Sequence, residues 1–463
     1  MIKAIFTIIL LVAGTLQETF SQDMLSRKQM EQDIDAMVGR IVYSHVNAYH
    51  YRSKEEWYVF LKEMKSGLPD SLSRFGFWRK AEQVLVFMND AHTRTYPSVF
   101  YKEYTDRGGL FFPFTIQKRK DGYHSSEIYG DVSGIDTLKR IISINGLAMA
   151  AIYADMKKQC GKELDFLDEK AICESFPYYV WKVHGWEPPY SVIWSGSSEP
   201  VMLQGVTAAQ LKKDERLSQK KEVCSLSFPN DATALITVTD FETMPRSYYK
   251  KFYMKAFCEI DRRGVKNLVL DLRGNDGGDS RYAEDMARYF ADKPFRISSR
   301  TLWKVTPEFK ANFAQLYIPG IMRWAKFLYG INEHTKAIWK TADGQVAVVE
   351  HKERKPLRSA LKHPKKIYLL IDNDTFSAGS MFAAMVKDHH LGTLVGQPTG
   401  NLSSFYADPL MWYMLPNSRI TFQVSTSLNV RPNGKLDNDS IQPDILLPES
   451  TDALKYVLEL LPQ

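Results

Sequence analysis

Residues 366–401 read KIYLLIDNDTFSAGSMFAAMVKDHHLGTLVGQPTGN, and this stretch restricts the fold more tightly than the rest of the chain does. Lys366 to Ile371 is a short apolar run without helical spacing, which reads as a buried strand. Asp372, Asn373 and Asp374 break it. The segment after Ser377, with its apolar residues at helical steps, reads as a helix that stops before Gly392, and Thr393 to Val395 begin another strand. Ser377 therefore falls on a strand–turn–helix junction. The first amides of a helix have no intrahelical partner, and the helix dipole adds positive potential there. A serine oxygen at such a place either caps the helix or attacks a carbonyl whose oxyanion the free amides hold.

A second unit of the same kind lies upstream. ALITVTDF reads as a strand, SYYKKFYMKAFCEIDRR as a helix ended by Gly264, and NLVLDL as a continuous apolar strand. RGNDGG follows, and then the helix SRYAEDMARYFADK. A phosphate cradle is disfavoured because no Lys-Ser or Lys-Thr pair follows these glycines. Strand, loop and helix in this order predict an α/β domain over 206–463, with a mixed or mostly parallel sheet. In a parallel sheet ligands bind at the carboxyl ends of the strands, so loop 274–278 and Ser377 are expected side by side.

The remainder is organised differently. Met1 to Ser21 reads as a secretory signal: Lys3, a short apolar run from Ala4 to Ala13, and small residues Thr19 and Ser21 before Gln22. The mature protein is expected to be exported, to the periplasm or outside the cell, without an integral membrane segment once the signal is removed. No cysteine follows the apolar run, which argues against a lipid anchor. Residues 22–96 read as a helical domain, with Ser53 capping one helix and Glu56 three residues later. Its third helix ends in Asp90, Ala91, His92 and Thr93. His45 and His50 read as structural.

Residues 97–205 read as a β-rich module, with an Asn145-Gly146 turn and a hairpin across Gly196-Ser197. Residues 206–222 read as a mixed-charge linker or solvated helix, and the basic run 351–366 as solvated surface. Residues 300–350 carry many aromatics, including Trp303, Phe309, Phe313, Trp324, Phe327 and Trp339. They read as a helical insertion packing on the sheet; the alternative is a lid over the site.

A formal net charge of +6 over 463 residues is too small to point to nucleic acid as a partner. The four cysteines, Cys160, Cys173, Cys224 and Cys258, allow up to two disulfides or none. They show no paired CxxC spacing, so a zinc site is not expected.

DLRGNDGG, TFSAGSMFAAMVKD, LVGQPTGN and IQPDI, in this order and spacing, resemble the C-terminal processing peptidases, also called tail-specific proteases, and their tricorn-like relatives. RIISINGL at Arg140 to Leu147 is similar to a turn in their PDZ-like modules, and NDAHT resembles the DGHT of tricorn-like members. The resemblance implies a multidomain α+β protein with a crotonase-like α/β catalytic core, an N-terminal helical domain and an inserted PDZ-like module. It implies an exported serine endopeptidase acting on peptide or protein substrates, with no metal or organic cofactor. Ser377 would be the nucleophile, and the amides of Ala378 and Gly277 the oxyanion hole.

Two departures qualify this. No lysine occurs from residue 388 to 434, where processing peptidases place their base. The Ser-His variant of the tricorn-like members is therefore implied, with His92 as base and Asp437 as the orienting carboxylate, Asp439 being the fallback. Asp276 stands where the family usually has glycine, and is expected to point to solvent. These departures leave an alternative: a catalytically inactive relative that binds peptides or apolar ligands in the same cleft. Substrate specificity and oligomeric state stay open.

Overall fold

A computed structural model describes residues 24–461, apart from 97, 132–134, 136, 213–221, 321–322, 324–328, 330–331 and 358–365. The signal reading, most of the mixed-charge linker, half of the basic run, Trp324 and Phe327 fall outside the described residues. No helix among the described residues is long and apolar enough to cross a membrane.

The protein is mixed α+β, and its centre is a six-stranded sheet. The strands run in the order Cys224–Asn230, Thr233–Val238, Asn267–Asp271, Lys366–Ile371, Thr393–Gly396 and Ile445–Leu446. The first pair is antiparallel and every later pair parallel. The continuous apolar runs follow from burial of both faces. Leu268, Leu270, Leu369 and Ile371 point into a core shared with helices Arg246–Arg263, Ser280–Phe290 and Ala378–Asp388. Their alternates Val269 and Leu370 pack instead with Val457 and Leu461 of the C-terminal segment. Gly264 ends its helix in the left-handed region, with φ of 63°.

A second sheet of five strands runs beside the first. Phe405–Met414, Thr421–Val430, Arg300–Lys304 and Val346–Glu350 are antiparallel neighbours, and Arg94–Thr95 pairs with Phe422 and Gln423. The aromatic insertion thus contributes two strands as well as helices Pro307–Tyr317 and Glu333–Lys340. Trp303, Phe309, Phe313 and Ile338 form its own small core.

The head is built from helices Arg27–Ser44, Lys54–Ser66 and Arg74–Met88. Ser53 and Glu56 form the expected capping box. Its core, with Ile34, Phe77 and Trp78, also takes in Phe422 and Val424 from the second sheet, and Leu415 and Ile420 from the connection between its strands. Asp33 is fully buried there, and its carboxylate accepts the backbone amides of Asn417 and Ser418.

Residues 97–205 hold more helix than the sequence reading gave them. Ser98–Asp106, Met149–Lys157 and Asp165–Glu174 are helical, beside a four-stranded sheet and the hairpin Phe114–Arg119 with Gly122–Ile128. Phe100, Tyr104 and Trp181 join the core of the head. All four cysteines are free thiols.

Candidate active site

Strands Asn267–Asp271 and Lys366–Ile371 are parallel neighbours, so the loops at their carboxyl ends lie together. Asp372 joins them: its Oδ1 accepts the Gly274 amide at 3.0 Å and the Thr375 hydroxyl at 3.1 Å. Thr375 Oγ1 also donates to Leu272 O at 2.9 Å. Asn275, fully buried, accepts the Phe376 amide on its carbonyl at 2.8 Å and donates its Nδ2 to Val238 O at 2.9 Å.

Ser377 follows at φ 51° and ψ −116°. A side-chain-bearing residue rarely adopts this conformation, which costs of order 1–3 kcal/mol. A capping serine has extended dihedrals and gives its oxygen to the amide two or three residues on. Ser26, Ser53 and Ser73 do this in the head. Ser377 does not: its hydroxyl makes no capping bond. Its backbone is held from outside instead. Asn401 Oδ1 accepts the Ser377 amide at 3.0 Å and the Ser380 hydroxyl at 2.6 Å. Asn401 reaches this place because Gly400 passes close under the turn, donating to Thr375 O at 2.8 Å. A Cβ on Gly400 would stand 2.3 Å from Asn373 O. Sequence reading singled out this TGN segment for the lysine it lacks and missed the role of Asn401.

The two proposed oxyanion donors fare differently. Ala378 opens the helix, and no hydrogen bond among the described residues takes its amide. Gly277 lies against the serine, at φ 106°; a Cβ there would stand 2.7 Å from Ser377 Cβ and 2.9 Å from Ala378 N. Its amide, however, donates to Asn275 Oδ1 at 3.0 Å. The Gly277 amide, expected as an oxyanion donor, is thus bonded to Asn275, whereas that of Ala378 is not. Asn275 closes a local turn that satisfies this buried amide, as asparagine side chains do two residues on. Asp276, between them, is exposed.

His92 is brought in by the head. Gln423 Nε2 donates to its carbonyl at 2.7 Å, and Asp90 Oδ1 accepts its amide at 3.0 Å. The imidazole lies between Phe376 and Phe405, with ring centroids 5.0 and 5.5 Å away. Phe376 immediately precedes Ser377, so the ring stands beside the serine turn. No hydrogen bond joins Ser377 Oγ to His92 among the described residues, and His92 Nδ1 is buried without a partner. Burial holds the imidazole below its ordinary pKa; Arg94 works the same way, while Asp90 and Asp408 oppose.

The carboxylates expected as the third member of the triad make other bonds. Asp437 Oδ2 accepts Arg431 Nη1 at 2.9 Å, and Arg431 is itself clamped by Asp388. The fallback Asp439 accepts its neighbour Ser440 N at 2.8 Å and Gln442 Nε2 at 3.1 Å. Both carboxylates bond to local partners, and no hydrogen bond or ion pair among the described residues joins either to His92. The acidic side chains that act on the imidazole are Asp90 and Asp408. Asp408 is reached by solvent, yet enough protein surrounds its carboxyl that desolvation lifts it above the usual range, with Asp279 adding and His92 opposing. Behind the site, Asp90 is buried with Thr93 and His45 both on Oδ2.

Residues 232–447 match the family model described as peptidase family S41. The fold is similar to that of a CPAF mutant, with a TM-score of 0.62 and 14% identity over 91% of this chain and 93% of that one. It is also similar to mature CPAF complexed with lactacystin, with a TM-score of 0.60 and 14% identity over 94% and 97% of the two chains. A protein of Chlamydia pneumoniae is 24% identical over 214 residues, which cover 38% of this chain and 32% of that protein. The chain thus spans about a third of that curated relative's length. Strand, loop, serine turn and glycine loop all lie within residues 232–447, the segment of this chain that matches peptidase family S41.

Proposed function

We propose that the protein is an exported serine endopeptidase that cleaves peptide bonds through an acyl-enzyme, with Ser377 as nucleophile and His92 as base. The observation that carries this is the Ser377 turn. Its dihedrals are those of a strained residue, its hydroxyl caps nothing, and no hydrogen bond among the described residues takes the Ala378 amide beside it. A helix cap would need none of these. His92 takes the hydroxyl proton as Ser377 Oγ attacks the scissile carbonyl, and the Ala378 amide holds the developing oxyanion. The imidazole then gives the proton to the leaving amine, and water releases the acyl group by the same route. Holding the ring below its ordinary pKa keeps it neutral, and ready to accept a proton, at pH 7.

Fluorophosphonate labelling of the mature protein tests the nucleophile: the wild type should label, and Ser377→Ala should not. A folded wild type that neither labels nor cleaves any peptide would leave the peptide-binding alternative. That alternative draws on the Asn275 bond to the Gly277 amide and on the unpartnered His92 Nδ1. Export is tested by N-terminal sequencing of the native protein, with a new terminus expected near Gln22; an intact Met1 on a cytoplasmic protein would sink it.

A further inference from the structure

We propose that Glu163 is a positioning residue that ties the loop carrying His92 to the loop that sets Ser377, so that segment 97–205 forms part of the frame of the active site. The inference rests on the reading of Ser377 and His92 as nucleophile and base.

The tie runs through three hydrogen bonds and the short stretches of chain between them. Ser377 N donates to Asn401 Oδ1 at 3.0 Å. The next residue, Leu402, donates its amide to Glu163 Oε2 at 3.3 Å. The other oxygen, Oε1, accepts the amide of Ala91 at 3.1 Å, one residue before His92. One buried carboxyl thus touches the residue after the serine's anchor and the residue before the base.

The position of Glu163 is itself over-determined. Its backbone has φ of 67°, and its carbonyl accepts Asn89 Nδ2 at 3.3 Å. Lys162 N is fixed on Asp168 Oδ1 at 2.9 Å. Gly161 lies against Val86 of the head, where a Cβ would meet Val86 Cγ2 at 3.1 Å. On the far side, Leu164 packs against the cluster of Leu402, Phe405 and Ala407, and Phe405 stacks on His92. Segment 161–164 is therefore wedged between head and α/β domain, and Glu163 holds both catalytic loops from one point. A space-filling role would not require two oxygens on two amides from loops 311 residues apart in sequence (402 minus 91). A buried carboxyl is costly to keep, and this one makes its bonds across the base–nucleophile gap.

The test compares full-length wild type, Glu163→Gln and Glu163→Ala, with Ser377→Ala as control. It reads kcat and KM on a peptide the wild type cleaves, and amide hydrogen exchange at Ala91 and Leu402. A misplacement of about 1 Å costs roughly 100-fold. Glu163→Ala should therefore lose roughly that factor in kcat, with KM changed little because substrate contacts are intact. Glu163→Gln keeps one acceptor oxygen and should fall between. Exchange at both amides should speed up at least roughly tenfold in Glu163→Ala as their acceptor is lost. Wild-type kcat, or unchanged exchange at both amides, in a folded Glu163→Ala overturns the proposal. If Glu163→Ala does not fold, Glu163→Gln decides it by the same two readouts. A Ser377→Ala protein that still cleaves would instead defeat the reading of the site, and exchange at Ala91 and Leu402 would still report on the tie.

Discussion

Asn401 Oδ1 accepts the backbone amide of Ser377 at 3.0 Å, and through that bond a residue 24 positions away sets the strained turn of the nucleophile. The same oxygen takes the Ser380 hydroxyl, and Asn401 is fully buried. Asn401→Ala should leave the Ser377 amide without its acceptor, at about 1–3 kcal/mol, while the Ser380 hydroxyl keeps Thr375 O at 2.9 Å. The expected result is a drop in urea stability together with a loss of fluorophosphonate labelling beyond tenfold. Labelling at the wild-type rate would show that the turn holds without this bond.

The pH dependence of activity follows from the environment of His92. Burial holds the imidazole below its ordinary value near ~6.5, and Asp408 counteracts that shift. Activity should rise with pH on a limb centred below ~6.5 and be flat from neutral pH upward. Asp408→Asn removes a charge that favours the imidazolium, so the limb should move to lower pH. A limb that stays put, or moves up, in a pH–rate profile of that variant would exclude Asp408 from the charge balance of the base.

Gly277 is constrained by shape more than by its amide. With a Cβ at 2.7 Å from Ser377 Cβ, even alanine must displace the serine, and its φ of 106° adds strain. Gly277→Ala should cost at least roughly tenfold in kcat/KM, and Gly277→Val more, while far-ultraviolet circular dichroism stays native. A fully active Gly277→Val would mean that the glycine loop and the serine turn separate during catalysis.

Asp437 should be dispensable for chemistry. Its side chain is 39% exposed and paired with Arg431, so the pair is worth at most ~1 kcal/mol. Asp437→Asn is expected to keep near-wild-type kcat and an unshifted pH limb. A large kcat loss would mean that substrate binding releases Asp437 from Arg431 toward His92.

Glu163 makes stability depend on pH. Burial first, then Asp90, pushes its carboxyl up to about 8, against ~4.3 in an unfolded chain. Between those values the folded state holds a proton that the unfolded state lacks, so this group lowers stability as pH rises through the window. The slope is at most about 1.4 kcal/mol per pH unit and ends above about pH 8. Urea unfolding from pH 5 to 9 should show this component in the wild type and not in Glu163→Gln. Identical slopes in the two proteins would rule out Glu163 as its source.

The local signals were legible in the sequence because they depend on near neighbours. The apolar run at Lys366 to Ile371, the Ser53–Glu56 box and the Gly264 stop all appear in the structure where spacing and capping chemistry put them. So does the serine on its strand–turn–helix junction. The choice between a capping and an uncapped Ser377 was not legible, because it turns on φ and ψ imposed by Asn401 from another loop. The Asn275 bond to the Gly277 amide was equally hidden, since two residues that can close a turn can also leave it open. The Arg431 partner of Asp437 was hidden for a further reason. Motif order places a carboxylate along the chain, but Arg431 and Asp388, buried together, compete for its position in space. His92 stands beside Phe376 only because Arg94–Thr95 adds to the edge of a strand more than 300 residues later, at Phe422 and Gln423. Periodicity and capping report interactions within a few residues. The assembly of base, nucleophile and their tie through Glu163 depends on contacts between loops that only the packed sheets bring together.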